Sequence, residues 1–366
     1  MSPSPAFPSR RTGFSLVELM IGLSLGMLTL LAMSQVVVAF HFQQRSTDSD
    51  IGAQTSAMNA LYAIERDLLQ AGQGLGDRRL LGCVARRDGG ASLTLAPAQI
   101  AAGANGGPDT LRLLLGDSRA APSKMAATLA PGSAVIAVGS TLGMHAGDVL
   151  ALQQDGQPCA LVHVGSIDSV LQASRVSEGG DAPQSGNDAV GAGGYGGDAM
   201  AFNLGQLGQV SYAINGSVLQ RTRIAYPGTV TVTEAIASDI VSLRLQYGFD
   251  TRLGGQSRLQ VDTWSASMLD ADRSGTSGDR GDWQRMAGLR LAVVARSPFR
   301  LAAGASGVCG STVEGGGNMP HWQATQADGS LGRSAISLVH VPDWPCYRYR
   351  VAETVVPLRN VIWGAP

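Results

Sequence analysis

Between Phe14 and Phe40 the sequence FSLVELMIGLSLGMLTLLAMSQVVVAF holds 27 residues and a single charge, Glu18. A carboxylate inside an apolar helix costs roughly 3 kcal/mol at a bilayer centre unless it is protonated or paired, so a partner for Glu18 belongs to whatever the segment does. A second group of carboxylates lies at Asp270-x-Asp272-x-Ser274-Gly275, with Asp279 and Asp282 close behind. Alternate acidic residues ahead of a tight-turn glycine can wrap oxygen ligands around calcium. The twelfth position of such a loop, glutamate in the EF-hand, is Gly281 here, so a solvated acidic turn competes with the metal loop.

The other reactive side chains form no catalytic set. His41, His145, His163, His321 and His340 are scattered, and no G-x-S-x-G elbow marks a hydrolase nucleophile. Gly72-x-Gly74-x-Gly76 follows a helical pattern and reads as a helix stop, not a nucleotide fingerprint. Arg280-Gly281-Asp282 spells an integrin tripeptide, which a loop rich in Gly, Arg and Asp produces by chance. Arg78, Arg79, Arg86 and Arg87 flank Leu80 to Ala85 and could face nucleic acid. With a net charge of −1 and no interleaved aromatics, local pairing with acids is the better account. No enzyme activity and no cofactor are expected.

The elements that place these residues start with a membrane span. At 1.5 Å per residue the Phe14 to Phe40 stretch makes a helix of about 40 Å, enough to cross a hydrocarbon core of about 30 Å. Arg10 and Arg11 precede it with no acidic residue among the first 13 positions, which puts the N-terminus in the cytoplasm and the rest outside. Gly22-x-x-x-Gly26 matches a close-packing helix face. Residues 43 to 71 lack proline and repeat Met58, Leu61, Ile64, Leu68 and Leu69 at three-to-four-residue intervals, with Glu65, Arg66 and Asp67 beside the stripe. The expected domain limits are a leader at 1–13, an apolar half-helix at 14–40, an amphipathic half-helix at 41–72 carrying the head on one face, and a β-rich head at 73–366.

Within the head, strand-length runs at 111–115, 134–138, 149–152, 161–164, 210–214, 218–221, 229–233, 240–247 and 289–295 predict antiparallel sheet. Glycine-rich stretches near 176–207 and 303–335 are expected as surface loops. Glycine supplies 48 of 366 residues and charged residues only 15%, against about 25% in ordinary soluble domains, which fits long loops and neutral sheet surface. Cys83, Cys159, Cys309 and Cys346 all follow the span, where an oxidising compartment favours disulfides, and none lies in a C-x-x-C pair. Of the three connectivities, sequential pairing of Cys83 with Cys159 and Cys309 with Cys346 closes loops of moderate length.

The boundary Arg11-Thr12-Gly13 followed by Phe14-Ser15-Leu16-Val17-Glu18 resembles the leader of type IV prepilins. The resemblance implies cleavage by a prepilin peptidase between Gly13 and Phe14, N-methylation of Phe14, and pairing of Glu18 with the α-amine of Phe14 on a neighbouring subunit or its own. Ala63-Ile64-Glu65-Arg66-Asp67-Leu68, Gly82-Cys83, Ile240 to Asp250, Trp283 to Ser297 and Tyr347 to Trp363 are similar to PilW-type minor pilins. That implies an α+β, type IV pilin-like fold with a long N-terminal helix and an antiparallel head. It also implies an inner-membrane, single-pass subunit with a periplasmic head that later reaches the cell surface. Its partners would be other minor pilins, the major pilin, the inner-membrane assembly machinery and a tip adhesin, in a priming complex that ends at the pilus tip. Direct contact with nucleic acid is not expected. A type II secretion pseudopilin shares the leader and helix and is the alternative; the C-terminal block favours the pilus.

Overall fold

The computed structural model describes residues 13, 15–86, 92–118, 120–169, 172–176, 190, 193–226, 230–254, 258–301, 307–326 and 329–363. Arg10, Arg11, Phe14 and Arg87 lie outside the described residues. One helix, Leu16–Gln70, passes through two compact units, Met1–Ile51 and Gly52–Pro366.

In the first unit, Leu16–Val37 is long and apolar enough to cross a membrane, and none of it is buried within the chain. Its 22 residues rise about 33 Å. The hydroxyls of Ser24, Thr29 and Ser34 donate to the carbonyls of Ile21, Gly26 and Leu31 at 2.8–2.9 Å, so these three hydroxyls are satisfied within the helix itself.

In the second unit the helix buries a different face. Ala53, Ala57, Ala60, Leu61, Ile64, Leu68 and Ala71 are all under 7% exposed. At 100° per residue they share one arc, and small alanines let the helix backbone come close to the sheets. Met58, expected on this stripe, is 53% exposed, because it projects roughly 120° from the middle of the buried arc. The helix stops where Gly72 takes φ +76°; a Cβ there would also lie 2.9 Å from Pro97 Cβ. The Asn360 amide donates to the Ala71 carbonyl at 3.0 Å and satisfies one of the last free carbonyls.

Three sheets pack around this face, and a hairpin covers the far side of one of them. A five-stranded antiparallel sheet runs in the order Val230–Ser238, Val218–Ala225, Gly208–Asn215, Thr110–Leu115, Ala98–Ala101. Its Asn215 to Val218 hairpin turns through Gly216 (φ +57°) and Ser217 (φ +63°), the two positive φ values that a two-residue type I′ turn requires. A four-stranded antiparallel sheet has the order Thr263–Ser265, Ile240–Phe249, Met286–Arg296, Tyr349–Pro357. Met286–Arg296 is buried on both faces: Leu289, Leu291, Val293 and Ala295 join the helix-side core, whereas Ala292 and Val294 face a second core built on Trp322, Ile336, Leu338 and Tyr349. An eight-stranded sheet encloses a third core around Leu150, Val162 and Tyr195.

Two loop expectations are corrected. The 176–207 stretch contains Met200–Gly205, a strand paired on both sides, to Val149–Gln153 and Ser123–Lys124. The 303–335 stretch contains the hairpin His321–Thr325 with Leu331–Ala335, which lies over the second core. Neither segment is rich in β-branched residues, so its strand character comes from pairing and burial, not propensity. The sheets also hold one parallel pair, Val84–Arg86 with Cys159–Ser169. Parallel pairing brings Ala85 opposite Cys159, which leaves Cys83 near enough to bond it.

Candidate functional site

Glu18 lies in the first turn of the helix, exposed, where the free backbone N–H groups favour a carboxylate. No described residue forms an ion pair with it. Around it Val17, Leu19, Met20 and Ile21 are each more than half exposed. An addition at Gly22 or Gly26 would meet nothing within 4 Å, so this stretch presents apolar side chains, two notches and one carboxylate outward.

The second half of the helix is held to the head by a polar chain that the amphipathic pattern does not reveal. Asp67, expected on the polar side, is 5% exposed. Its Oδ2 accepts from the Tyr212 hydroxyl at 2.6 Å and from Arg221 Nη1 at 3.2 Å, and Arg221 Nη2 donates to Glu234 Oε2 at 2.7 Å. Burial and the hydrogen bond to Asp67 push the Tyr212 hydroxyl up from its ordinary value, so it stays a donor. A buried carboxylate left unpaired is expensive, which makes this chain a fixed clamp between helix and sheet. The only signal in the sequence is an acid next to Leu68 and three residues after Ile64.

The acidic loop is organised by its own backbone. Asp282 is fully buried; its Oδ1 accepts from the N–H groups of Ala271 at 2.5 Å and Asp272 at 3.2 Å, and its Oδ2 from Gly278 at 2.7 Å. Burial raises the Asp282 carboxyl above the usual range. Asp279 caps the short helix Arg280–Trp283 and accepts from the Ser274 hydroxyl at 2.6 Å. Asp270 Oδ2 and Asp272 Oδ1 accept from the N–H groups of Gly275 and Ser274, both at 2.9 Å. One oxygen each of Asp270, Asp272 and Asp282 lies within 4.8 Å of the others, the grouping that could hold a cation. Their present work is to fix a tight turn, with both Asp282 oxygens committed to backbone N–H donors. The Arg280-Gly281-Asp282 tripeptide forms that short helix and hides its aspartate, so it is not displayed as a loop.

Of the arginines around Leu80, Arg79 pairs with Asp77 at 2.8 Å and stacks over Phe202 at 5.2 Å, whereas Arg86 is exposed on its strand. The disulfides are Cys83–Cys159 and Cys309–Cys346, with Cα separations of 6.0 and 4.8 Å. The first ties the turn after the helix to the eight-stranded sheet; the second ties the strand Tyr349–Pro357 to the segment that leads into the covering hairpin. The histidines sit apart: His145 lies 3.7 Å from Asp148, and His340 and His321 bond the carbonyls of Val241 and Met319. An open cleft of about 820 Å³ includes Asp117, Ser123, Ser140, His145 and Asp148. Its two carboxylates accept from backbone and amide groups: Asp117 from the Gln206 N–H, Asp148 from the His145 N–H and Asn203 Nδ2.

Residues 209–360 match the type IV pilus-assembly protein W (PilW) family, and residues 8–34 match the prokaryotic N-terminal methylation motif. No curated protein matches the chain. Among solved structures it is similar to a type IV-like pilin from Thermus thermophilus at 16% identity, over 59% of this chain and 86% of that one, with a TM-score of 0.23. The chain is thus α+β, with an apolar N-terminal helix and an antiparallel-rich head, and carries the sequence marks of a type IV pilin-type subunit. Its helix and methylation motif point to membrane anchoring and a pilus location. The matches point in general to other pilus components and the prepilin-processing machinery as the kind of partner such a subunit has.

Proposed function

We propose that this chain, with the PilW family sequence over 209–360 and the methylation motif over 8–34, is a non-enzymatic minor pilin that primes pilus assembly and sits at or near the tip. The observation that carries the reading is Glu18, the single charge in the apolar stretch Leu16–Val37, none of which is buried within the chain. In a membrane such a helix is soluble as a single span, and in a filament the same surface packs against other helices. Glu18 needs a cation in both places, and the α-amine of Phe14, released by cleavage after Gly13, is the nearest one the chain can generate. Pairing between subunits sets their axial stagger as each leaves the bilayer. Arg10 and Arg11 hold the leader on the cytoplasmic side, where the peptidase acts. The family match over the head favours the pilus over a secretion pseudopilus. The head offers surfaces for other minor pilins and for a tip adhesin.

Two substitutions separate processing from assembly. Gly13→Val leaves the leader attached, read as a heavier band and an unmethylated N-terminus. Glu18→Ala is cleaved normally and is lost from sheared surface filaments. Normal incorporation of Glu18→Ala would overturn the reading.

A further inference from the structure

The two disulfides occupy different surroundings in the head. Cys83 and Cys159 are 7% and 0% exposed and both belong to the helix-side core, so a reagent reaches their bond only when that core opens. Cys346 is also buried, but its partner Cys309 is partly exposed. Thiol–disulfide exchange needs access to one sulfur, so the second bond is the one open to attack in the folded head. All four cysteines are paired, and an attacking thiol must therefore come from outside the chain.

Between Cys309 and Cys346 lies a cover with a core of its own. Trp322, Ala324, Ile336 and Leu338 from the cover meet Ala292 and Val294 of the four-stranded sheet, and none of these six belongs to the helix-side core. The hairpin His321–Thr325 with Leu331–Ala335 is a separate two-stranded sheet, and among the described residues no ladder joins it to the sheet beneath. Its polar attachments run through side chains. The Gln323 N–H donates to Glu353 Oε2 at 2.9 Å, the Thr325 N–H to Gln246 Oε1 at 3.2 Å, and Arg290 Nη1 to the Gln323 carbonyl at 3.4 Å. At the base, beside the disulfide, the Ser311 and Thr312 N–H groups donate to the Pro345 carbonyl at 3.0 and 3.2 Å. The bond spans 37 residues, and closing a loop of that length disfavours its open state roughly 600-fold in the chain-entropy account.

We propose that Cys309–Cys346 is a redox latch on this cover: once the bond is reduced, the segment between the two cysteines opens from the four-stranded sheet while the helix-side core stays folded. The reductant is a dithiol. One of its thiolates attacks Cys309 Sγ, Cys346 leaves as a thiolate and takes a proton, and the second thiol resolves the mixed disulfide and frees Cys309. Two electrons pass to the chain, the protein disulfide ends as two thiols, and the dithiol ends as a disulfide. A disulfide-bearing oxidant runs the same exchange in reverse and closes the cover. Opening bares Ala292 and Val294, the second face of Met286–Arg296, so the head has a different surface in each redox state. Local opening of this kind follows the boundary between two cores, because the residues lost from one are not shared with the other. The inference concerns the head alone and stands apart from the assembly reading.

The test uses the full chain in detergent, titrated with dithiothreitol. Samples are quenched with N-ethylmaleimide, labelled cysteines are assigned by peptide mass spectrometry, and amide hydrogen exchange is followed in parallel. Cys309 and Cys346 should be labelled first, at dithiol concentrations that leave Cys83–Cys159 intact. At that stage exchange in His321–Thr325 and Leu331–Ala335 should speed up by about 100-fold or more, with no change at Ile64 or across 289–295. Removing the dithiol and adding oxidised glutathione should restore the slow exchange. Cys309→Ser combined with Cys346→Ala should show the fast pattern with no reductant present. Should that variant fail to fold, selective reduction of the unmodified chain still decides. Simultaneous reduction of both disulfides, unchanged exchange in the hairpin after selective reduction, or loss of protection at Ile64 together with the hairpin would each overturn the proposal.

Discussion

The apolar residues of Leu16–Val37 and those of Gly52 onward obey the same physics with opposite results. In the first stretch Leu19, Leu23, Leu30 and Met33 are each more than half exposed; in the second Ile64 and Leu68 are completely buried. The first stretch is apolar around its whole circumference, so no face can be satisfied by the chain alone, and a lipid or a bundle of like helices must supply the contacts. The second has one arc of small and aliphatic residues, so it folds against its own sheets. The lesson is that hydrophobic residues mean solvent matching in one region and packing in the other, and only the second contributes to the stability of the head.

Variants sharpen this contrast, measured on the full chain in detergent. Asp67→Ala should have the largest effect, about 3–5 kcal/mol of head stability, because Arg221 and the Tyr212 hydroxyl lose a buried acceptor. An unchanged unfolding midpoint would mean that the clamp is not what fixes the helix to the sheet. Ile64→Ala should cost about 2–5 kcal/mol through the cavity it leaves, whereas Leu31→Ala and Met58→Ala should each stay within about 0.5 kcal/mol. A Leu31→Ala cost equal to that of Ile64→Ala would erase the distinction between the two regions. The smallest effect is an acid limb. The Arg252 side chain, with backbone N–H donors from Gln260 and Arg252, holds the buried Asp250 carboxyl down to about 2 against an ordinary 3.8. Its folded value is the depressed one, so the stability it adds is fully present above the ordinary value and is lost as pH falls from about 4 toward 2. Asp250→Asn should flatten the melting temperature over that window; an unaltered acid limb would assign it to other carboxylates.

Much of the architecture is legible in residue order. The apolar run from Phe14 to Phe40, the glycine stop at Gly72 and the strand-length runs at 240–247 and 289–295 are local signals, and each corresponds to an observed element. The strand Met200–Gly205 and the hairpin 321–335 are not legible, because their residues have no strand preference of their own and are ordered by neighbours distant in sequence. The acidic loop reads in the sequence as either a cation shell or a turn; in the structure both Asp282 oxygens accept from backbone N–H groups, while one oxygen each of Asp270, Asp272 and Asp282 lies within 4.8 Å of the others.

What the sequence determined by itself is therefore the N-terminal part. A single charge in an apolar run, with two arginines and a glycine before it, states its chemistry without any fold, because the solvent that segment requires is written in its composition. What only the tertiary structure decided is which residues of the amphipathic half face inward and how the head closes. Met58 turns out and Asp67 turns in because the sheets cover one arc of the helix, and Tyr212 and Arg221, some 150 residues away, supply the partners that make a buried aspartate affordable. Burial of a charge depends on what lies opposite it, and that is a property of the folded chain.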